Sequence, residues 1–598
     1  MKKILAIIIA LVMLVALAGC NSASNSPGGS SPAASSGQGG SSNNSGSGSG
    51  SGSSSSPDSG SSGGNASTPS SNVTEPVIAE GAKVAEDVRP DPGRKTTANS
   101  NDRYPSITLT QNVRINSLSP FYGQDAAMVT SNYAMFEKLL YRLDTVNYGS
   151  GLAKSWGYEA GSDTRIAFEL YSNIHDWNGE RLTSSDVRFS FDAFAASGKA
   201  TNYDLYDTIE VIDDTHFVLV LKSKIENLVA FESLMNTYIV CEASWDEQTA
   251  STTPVGTGPY KLKEYVTDAY IIFTANDDYW NIANPAPWSR ATVQELRVDM
   301  VLDAAQRLIA LLNGTAVNLG GGITSTDLED FLEGGQYEGD YLLTVLPGGS
   351  PSGLQANVHP DSIMSDINLR MAIWWCLDTM DYVYLNGENV TLPLSTVTIP
   401  TTRDYDPAWN DIFSYHSEQN LDLAKEYLAK SNYNGESIKV LTKLAPLSLG
   451  VIANVTVAQL AKIGVNAEVV QVDHPIMMEM LTDPKNWDLW TYSNSRPDRY
   501  FSASVLDFFI GKAYGTVPGY NKGLSDDGRL QELIDISTSS STNSRQTTLD
   551  LINYTVEMGY LYGLFYELVY YAWDPAISEF TVDATMTPIL TCLDFYLD

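Results

Sequence analysis

The sequence has 598 residues, of which 43% are hydrophobic and 18% charged, so most of the chain can bury a core and several domain-sized units are expected. Asp and Glu total 71 against 36 Lys and Arg, which gives a net charge of −35. This acidic excess argues against nucleic-acid binding, which needs a basic face, and against docking on anionic lipid through protein charge.

The amino terminus predicts an export signal that ends in a lipid anchor. Two lysines precede the apolar run Ile4–Ala18, which is shorter than the about 20 residues that a membrane-spanning helix needs. The run ends in Leu-Ala-Gly-Cys at Cys20, and this stretch resembles the bacterial lipobox, in which the cysteine is diacylated and becomes the first residue. We therefore expect residues 1–20 to be a lipoprotein signal peptide and Cys20 to be the lipidation site. The position of Cys20 disfavours the alternative, a plain membrane-anchor helix.

The segment after Cys20 predicts a disordered tether, residues 21–103. Residues 21–70 contain 22 Ser and 12 Gly, and Asp58 is their only charge, so the segment has too little apolar area to fold. A chain of this length reaches roughly 50 Å. The expected location is the extracellular face of the bacterial cell membrane, or the periplasmic side if a second membrane is present. The lipid would be the only contact with the membrane.

The first folded elements alternate between strands and a capped helix. Ile107–Thr110, Ile166–Leu170 and Phe217–Leu221 read as strands. Thr183 and Asp186 form a capping-box pattern, which predicts a helix from residue 184 onward.

Further along the chain, helix-start signals recur. Asp303 and Asn420 are predicted to cap helices, and Thr326 with Glu329 predicts another capping box. Cys376 lies in an apolar helical stretch and is predicted to be a buried thiol.

The clearest unit is a strand, a helix and a second strand. Ile438–Thr442 reads as the first strand, and apolar residues at helical spacing follow until Gly464, which can end that helix. Val465–Val472 reads as the second strand. Such a βαβ unit favours a parallel sheet, so the body is predicted to be α/β and an all-β adhesin is disfavoured.

No catalytic, metal or cofactor signature is found. The five histidines form no HxH or HExxH pattern, and the single GxSxG match lies inside the Ser/Gly tether, where no strand or helix can hold a nucleophile. Besides Cys20 the chain has Cys241, Cys376 and Cys592, an odd number, so at most one disulfide can form among them. We predict no cofactor and no metal.

Seven stretches occur in the order that is typical of one protein family. They are Gly151–Trp156, Ile174–Glu180, Leu182–Val187, Pro254–Tyr260, Asn276–Trp280, Asn368–Ile373 and Leu423–Leu428. Together they resemble the family 5 extracellular solute-binding proteins, the dipeptide-, oligopeptide- and nickel-binding components of ABC importers. Each stretch also has a structural interpretation: Gly256 and Gly258 suit a tight turn, and Trp156, Trp177 and Trp280 are expected in the core.

The resemblance implies an α/β, two-lobed body of the periplasmic-binding-protein type (type II, Venus-flytrap) with an extra inserted domain. Lobe I would hold residues 104–145, 259–352 and 573–598, the inserted domain residues 146–258, and lobe II residues 353–572. The implied hinge residues are Gly353, Leu354, Tyr571 and Ala572. Solute would be held between the lobes, and closure of the lobes would bury it.

The resemblance also implies where solute binds. In peptide-binding members an Asp holds the ligand's α-ammonium, and the corresponding position here is Ser493, with Arg496 in place of a usual acid. The implied ligand-binding residues are Trp490, Tyr492, Ser493, Asn494, Arg496, Asp498 and Tyr520. The substitutions favour a ligand that is uncharged or anionic at that end, such as a modified peptide, an oligosaccharide or an acidic conjugate. An alignment shifted by a few residues, or an acid such as Asp498 or Asp507 in the same role, stays open.

The implied function is capture of a peptide or peptide-sized solute outside the cell and its delivery to an ABC permease in the membrane. The protein would act as a monomer, would bind no nucleic acid and would break no covalent bond. Two alternatives are a surface-anchored hydrolase, which predicts turnover of the solute, and a sensory or pheromone-binding receptor on the same fold.

Overall fold

The fold is that of a computed structural model of the chain. The described residues are 79, 81–121, 129–143, 147–200, 203, 205–225, 228–283, 285–346, 351–387, 390–394, 398, 402, 405–406, 409, 419–444, 447–493, 502–503, 506, 510–511, 524, 526–539, 542–582 and 588–598. The predicted signal peptide with Cys20, and most of the predicted tether, lie outside them.

The described strands and helices alternate along the chain. The strands are β1 (Lys83–Val84), β2 (Tyr104–Gln111), β3 (Glu137–Lys138), β4 (Leu140–Arg142), β5 (Tyr148–Ser150), β6 (Ala153–Tyr158), β7 (Arg165–Leu170), β8 (Tyr206–Val211), β9 (His216–Leu221), β10 (Tyr238–Ile239), β11 (Tyr260–Val266), β12 (Tyr270–Ala275), β13 (Val293–Met300), β14 (Leu342–Leu346), β15 (Pro351–Ala356), β16 (Thr391–Pro393), β17 (Ile438–Lys443), β18 (Ala467–Val472), β19 (Leu489–Ser493), β20 (Leu561–Glu567), β21 (Val569–Trp573), β22 (Ile577–Glu579) and β23 (Asp594–Phe595). The helices are α1 (Val129–Met135), α2 (Ser184–Ala196), α3 (Leu228–Met235), α4 (Ala304–Leu312), α5 (Ile367–Cys376), α6 (Thr379–Asn386), α7 (Leu421–Lys430), α8 (Leu447–Ala461), α9 (His474–Met480), α10 (Gly528–Thr538) and α11 (Arg545–Glu557).

Two four-stranded sheets share one hydrophobic core. In the first, β2 pairs in parallel with β13, and β12 and β11 continue the sheet antiparallel. The second sheet, in the order β6-β7-β9-β8, is antiparallel throughout. Alternate residues of β7 are buried, so one face of this sheet lies on the core, and the three strands predicted in this half of the chain are confirmed.

A six-stranded sheet forms a second, separate core. Its order is β16-β20-β15-β19-β17-β18, with β17 parallel to both β18 and β19. Helix α8 connects β17 to β18, and Gly464 turns the chain toward β18 at φ +80°. The predicted strand–helix–strand unit and its parallel pairing are therefore confirmed.

A further sheet, β1-β14-β21, has three strands and buries Val345 and Tyr570 in a third, smaller cluster. The chain passes from β14 to β15 across residues 347–350 and returns from β20 to β21 across Leu568. These two passages between separate cores produce the two-lobed α/β fold that was predicted. A small apolar cluster, which includes Leu343, Tyr566 and Leu568, spans both sides of the passages.

The predicted hinge residues lie inside paired strands rather than at these passages. Gly353 pairs with Tyr492 within β15, and Tyr571 pairs with Thr344 within β21. Backbone ladders hold these residues, and their role as a hinge stays a prediction. The predicted residues Leu354 and Ala572 lie in the same two strands.

Most of the predicted helix caps are present. The capping box of α2 and the side-chain caps of α4 and α7 are confirmed at Thr183, Asp303 and Asn420. The box at Thr326 and Glu329 is wrong, because the 3₁₀ turn Leu328–Phe331 begins after a different pair. Thr324 Oγ1 donates to Asp327 Oδ2 at 2.6 Å and accepts from the Asp327 amide at 3.2 Å.

The glycines of the Pro254–Tyr260 stretch allow two backbones to touch. A Cβ on Gly256 would lie 1.9 Å from the Met135 carbonyl oxygen, and one on Gly258 would lie 2.6 Å from the Ala134 carbonyl oxygen. The sequence indicated a turn, whereas the structure shows that the glycines are required for this close approach at the end of α1.

The remaining core predictions concern the tryptophans and cysteines. Trp280 is buried, and Trp156 and Trp177 are half-buried against the same core, as expected. Cys376 is a buried thiol, and Cys241 and Cys592 are likewise buried and unpaired with each other. Among the described residues, no helix is long and apolar enough to span a membrane.

Candidate functional site

One edge of the six-stranded sheet adjoins both passages between the lobes. The parallel strands β17, β18 and β19 end there, β20 ends there at Glu567, and β15 begins there at Pro351. In open α/β sheets, ligands bind in the crevice outside the carboxyl ends of the strands. We call this edge, defined by Lys443, Val472, Ser493, Pro351 and Glu567, the hinge edge.

Ser493 is the last residue of β19 and lies at the hinge edge. In the β-ladder it is paired with Ser352 of β15, so the two serine side chains project from the same face of the sheet. Ser493 is half-buried, whereas Ser352 is buried. Ser493, which the family resemblance assigned to the uncharged end of the ligand, therefore lies next to the two chain passages between the lobes.

The side chains of Trp490 and Tyr492 pack into the core of the six-stranded sheet. Their side chains are 5% and 2% exposed, and both belong to the hydrophobic core of the six-stranded sheet. Burial raises the pKa of Tyr492. A Cβ on Gly353 would lie 2.8 Å from Tyr492 Oη, so glycine is needed there to admit the ring. Contact of these two aromatic residues with solute stays a prediction.

The other residues predicted to bind solute fall outside the described part of the chain. These are Asn494, Arg496, Asp498 and Tyr520. Of the predicted ligand-binding residues, Ser493 is thus the one that the structure places at the hinge edge with a partly accessible side chain.

Lys443 at the hinge edge was missed by the sequence reasoning. It is the last residue of β17, is half-buried, and forms no ion pair with a described residue. Burial lowers the pKa of its ammonium, because removal of water disfavours the charged form. The available signal was a lysine that ends an apolar strand inside a βαβ unit, where ligand sites concentrate.

The described residues contain no group of three or more His, Cys, Asp or Glu side chains that could hold a metal ion. The hinge edge carries the hydroxyls of Ser352 and Ser493, the ammonium of Lys443 and the carboxylate of Glu567. The hydroxyls and the ammonium can bind carbonyl or carboxylate oxygens through hydrogen bonds and charge.

A two-lobed α/β fold with polar side chains beside the passages between its lobes is the architecture expected of a solute-binding protein. The chain belongs to the bacterial extracellular solute-binding proteins, family 5, whose model matches residues 147–513. This family supplies the substrate-binding components of ABC importers and is not a family of enzymes, so the predicted function class is confirmed.

Individual relatives are distant. The chain is 24% identical over 409 residues to the nickel-binding protein NikA of Staphylococcus aureus, which covers 67% of this chain and 76% of that protein. It is 26% identical over 360 residues to a putative ABC transporter peptide-binding protein of Brucella ovis, covering 57% and 63%. The fold also matches the crystal structure of the ABC transporter substrate-binding protein CtaP of Listeria monocytogenes. There the TM-score is 0.68 at 16% identity, and 83% of this chain and all of that chain are covered.

Proposed function

We propose that this protein is a lipid-anchored receptor that captures a peptide-sized solute with a carboxylate at one end and no free ammonium at the other. The observation that carries the proposal is the hinge edge, where Lys443 supplies a cation and Ser493 stands at the position assigned to an acid. Peptide-binding relatives support the size class, and the nickel-binding relative shows that the family is not restricted to peptides.

The ammonium of Lys443 sets the charge that the solute would carry. Lys443 is half-buried and has no acidic partner among the described residues, and the loss of water lowers the pKa of its ammonium. A carboxylate of the solute would compensate for the missing partner and would restore the charged form. Lys443 would therefore hold the anionic end, and the Ser493 end would accept a neutral group.

Closure of the two lobes would complete the site. The hinge would be formed by Gly353 and Leu354 in β15 and by Tyr571 and Ala572 in β21, the two strands that follow the chain passages. Solute that touches both lobes only when they are closed stabilises the closed state, and the permease would recognise that state. The protein would bind as a monomer, with residues 146–258 as an inserted domain beside lobe I.

The membrane anchor would be the diacylated Cys20, followed by the tether of residues 21–103. Metabolic labelling with radioactive palmitate tests it: the wild type should incorporate label and fractionate with membranes, and Cys20→Ser should not. Label on the Cys20→Ser variant would refute the anchor.

Isothermal titration calorimetry with three peptides tests the ligand class. N-acetyl-Ala-Ala-Ala should bind most tightly, because it has a neutral amino end and a free carboxylate. Free Ala-Ala-Ala and the doubly capped N-acetyl-Ala-Ala-Ala-amide should each bind at least tenfold more weakly. Tighter binding of free Ala-Ala-Ala would refute the neutral end of the proposal.

Substitution of the lysine tests the other end. Lys443→Met should remove the preference for the free carboxylate over the amide while preserving the fold. Lys439→Met is the matched control, because Lys439 is half-buried in the same strand and its Nζ donates to the Lys485 carbonyl at 2.8 Å. If both variants retain the preference, Lys443 does not hold the carboxylate.

A further inference from the structure

A buried serine hydroxyl lies at the hinge edge, in β15. Ser352, the second residue of β15, has 0% of its surface exposed, and its Oγ has no hydrogen-bond partner among the described residues. Its cross-strand neighbours are Ser493 on one side and Phe565 on the other. The Ser493 hydroxyl lies on the same face of the sheet but forms no hydrogen bond with the Ser352 hydroxyl.

An unpartnered buried hydroxyl destabilises the unliganded protein. Water is lost from the oxygen on folding and no protein group replaces it, whereas alanine would fill nearly the same space without that penalty. Serine at this position is therefore not explained by packing or by strand formation. A group from outside the fold that hydrogen-bonds to Ser352 would explain it.

The position of Ser352 indicates which group that is. It follows the passage at residues 347–350 and lies beside Ser493, whose side chain is partly accessible. Directly opposed residues in an antiparallel ladder have Cβ atoms about 4.5–5.5 Å apart, so one carbonyl oxygen can accept from both hydroxyls.

We propose that Ser352 is a ligand-binding residue whose hydroxyl donates to a neutral carbonyl oxygen of the captured solute, next to Ser493. The inference rests on the proposed function and deepens it, because it assigns a hydrogen-bond donor to the uncharged end of the solute. An acetyl or amide carbonyl has the required chemistry.

The test compares Ser352→Ala with Ser578→Ala. Ser578 is a matched control because it is also a buried strand serine whose Oγ has no described partner, and it lies in β22, outside the hinge edge. Without solute, both variants should resist urea at least as well as the wild type. With N-acetyl-Ala-Ala-Ala in the calorimeter, Ser352→Ala should bind about three- to tenfold more weakly and Ser578→Ala should bind like the wild type.

Each other outcome has a distinct meaning. Equal affinity of Ser352→Ala and the wild type overturns the assignment. Lower resistance to urea in Ser352→Ala than in Ser578→Ala also overturns it, since Ser352 would then support the fold, for example through a structural water. If the wild type and Ser578→Ala both fail to bind the peptide, the proposed ligand class has failed, and the assignment of Ser352 is overturned with it.

Discussion

Replacing Glu137 with glutamine should change how the stability of lobe I depends on pH. Glu137 is a buried carboxyl in β3 that accepts hydrogen bonds at 2.6 Å from Tyr279 Oη and at 2.6 Å from Trp280 Nε1. Burial raises its pKa from 4.5 to about 7, and these hydrogen bonds offset only part of that effect. The folded protein therefore binds this proton more tightly than the unfolded chain does.

The sign and size of the effect follow from that pKa. The carboxyl group contributes its full stability below pH 4.5, and the contribution is lost as pH rises through about 7. At 1.36 kcal/mol for each pKa unit, the loss is about 3 kcal/mol. Glutamine has the same shape, can accept from Trp280 and donate to the Tyr279 oxygen, and does not titrate.

Urea unfolding at pH 5 and at pH 8, followed by tryptophan fluorescence, measures the effect. Between pH 5 and pH 8, the free energy of unfolding of Glu137→Gln should rise relative to that of the wild type by about 2–3 kcal/mol. Glu468→Gln, a change at an exposed residue of β18, should follow the wild type. Parallel pH profiles of Glu137→Gln and the wild type would show that the Glu137 carboxyl is not perturbed, and the reasoning would be refuted.

Two further substitutions test the packing of the two main cores by urea unfolding. Gly256→Ala should destabilise the protein by about 3 kcal/mol, because its Cβ would overlap the Met135 carbonyl oxygen, while Gly528→Ala, where no atom lies within 4 Å, should have little effect. Arg370→Met should destabilise lobe II by about 3 kcal/mol or more, because the buried guanidinium donates to the carbonyls of three residues that would lose their partner. Unchanged urea midpoints for Gly256→Ala or Arg370→Met would contradict these packing arguments.

Local patterns were enough to predict the elements that depend on nearby residues. The capping box at Thr183 joins residues three positions apart, and the strand–helix–strand unit ending at Val472 shows its own periodicity. The missed cap near Leu328 has the same local origin, because two threonines, Thr324 and Thr326, offered competing starts and only the hydrogen bonds distinguish them.

Contacts between distant residues could not be predicted in this way. Glu137 meets Tyr279 across 142 positions, and nothing in either segment indicates the pairing. Ser352 becomes informative only because the ladder places it opposite Ser493 and leaves its hydroxyl without a partner. The burial of Lys443 likewise depends on which strands surround it. The sequence shows that a lysine ends the strand, but it does not show that its ammonium is partly removed from water.

The motifs that identify the family and the residues that would select the solute lie in different places. Trp177 Nε1 and Asn276 Nδ2 both donate to the Gly258 carbonyl at 3.3 Å, so three of the family stretches are joined to one another away from the six-stranded sheet. Ser493 and Lys443, in contrast, lie at the hinge edge of lobe II, and Ser493 is not in any recognised stretch. Family membership therefore accounts for the fold and the transport role, while the proposed choice of solute rests on the hinge edge, which lies outside the stretches typical of the family.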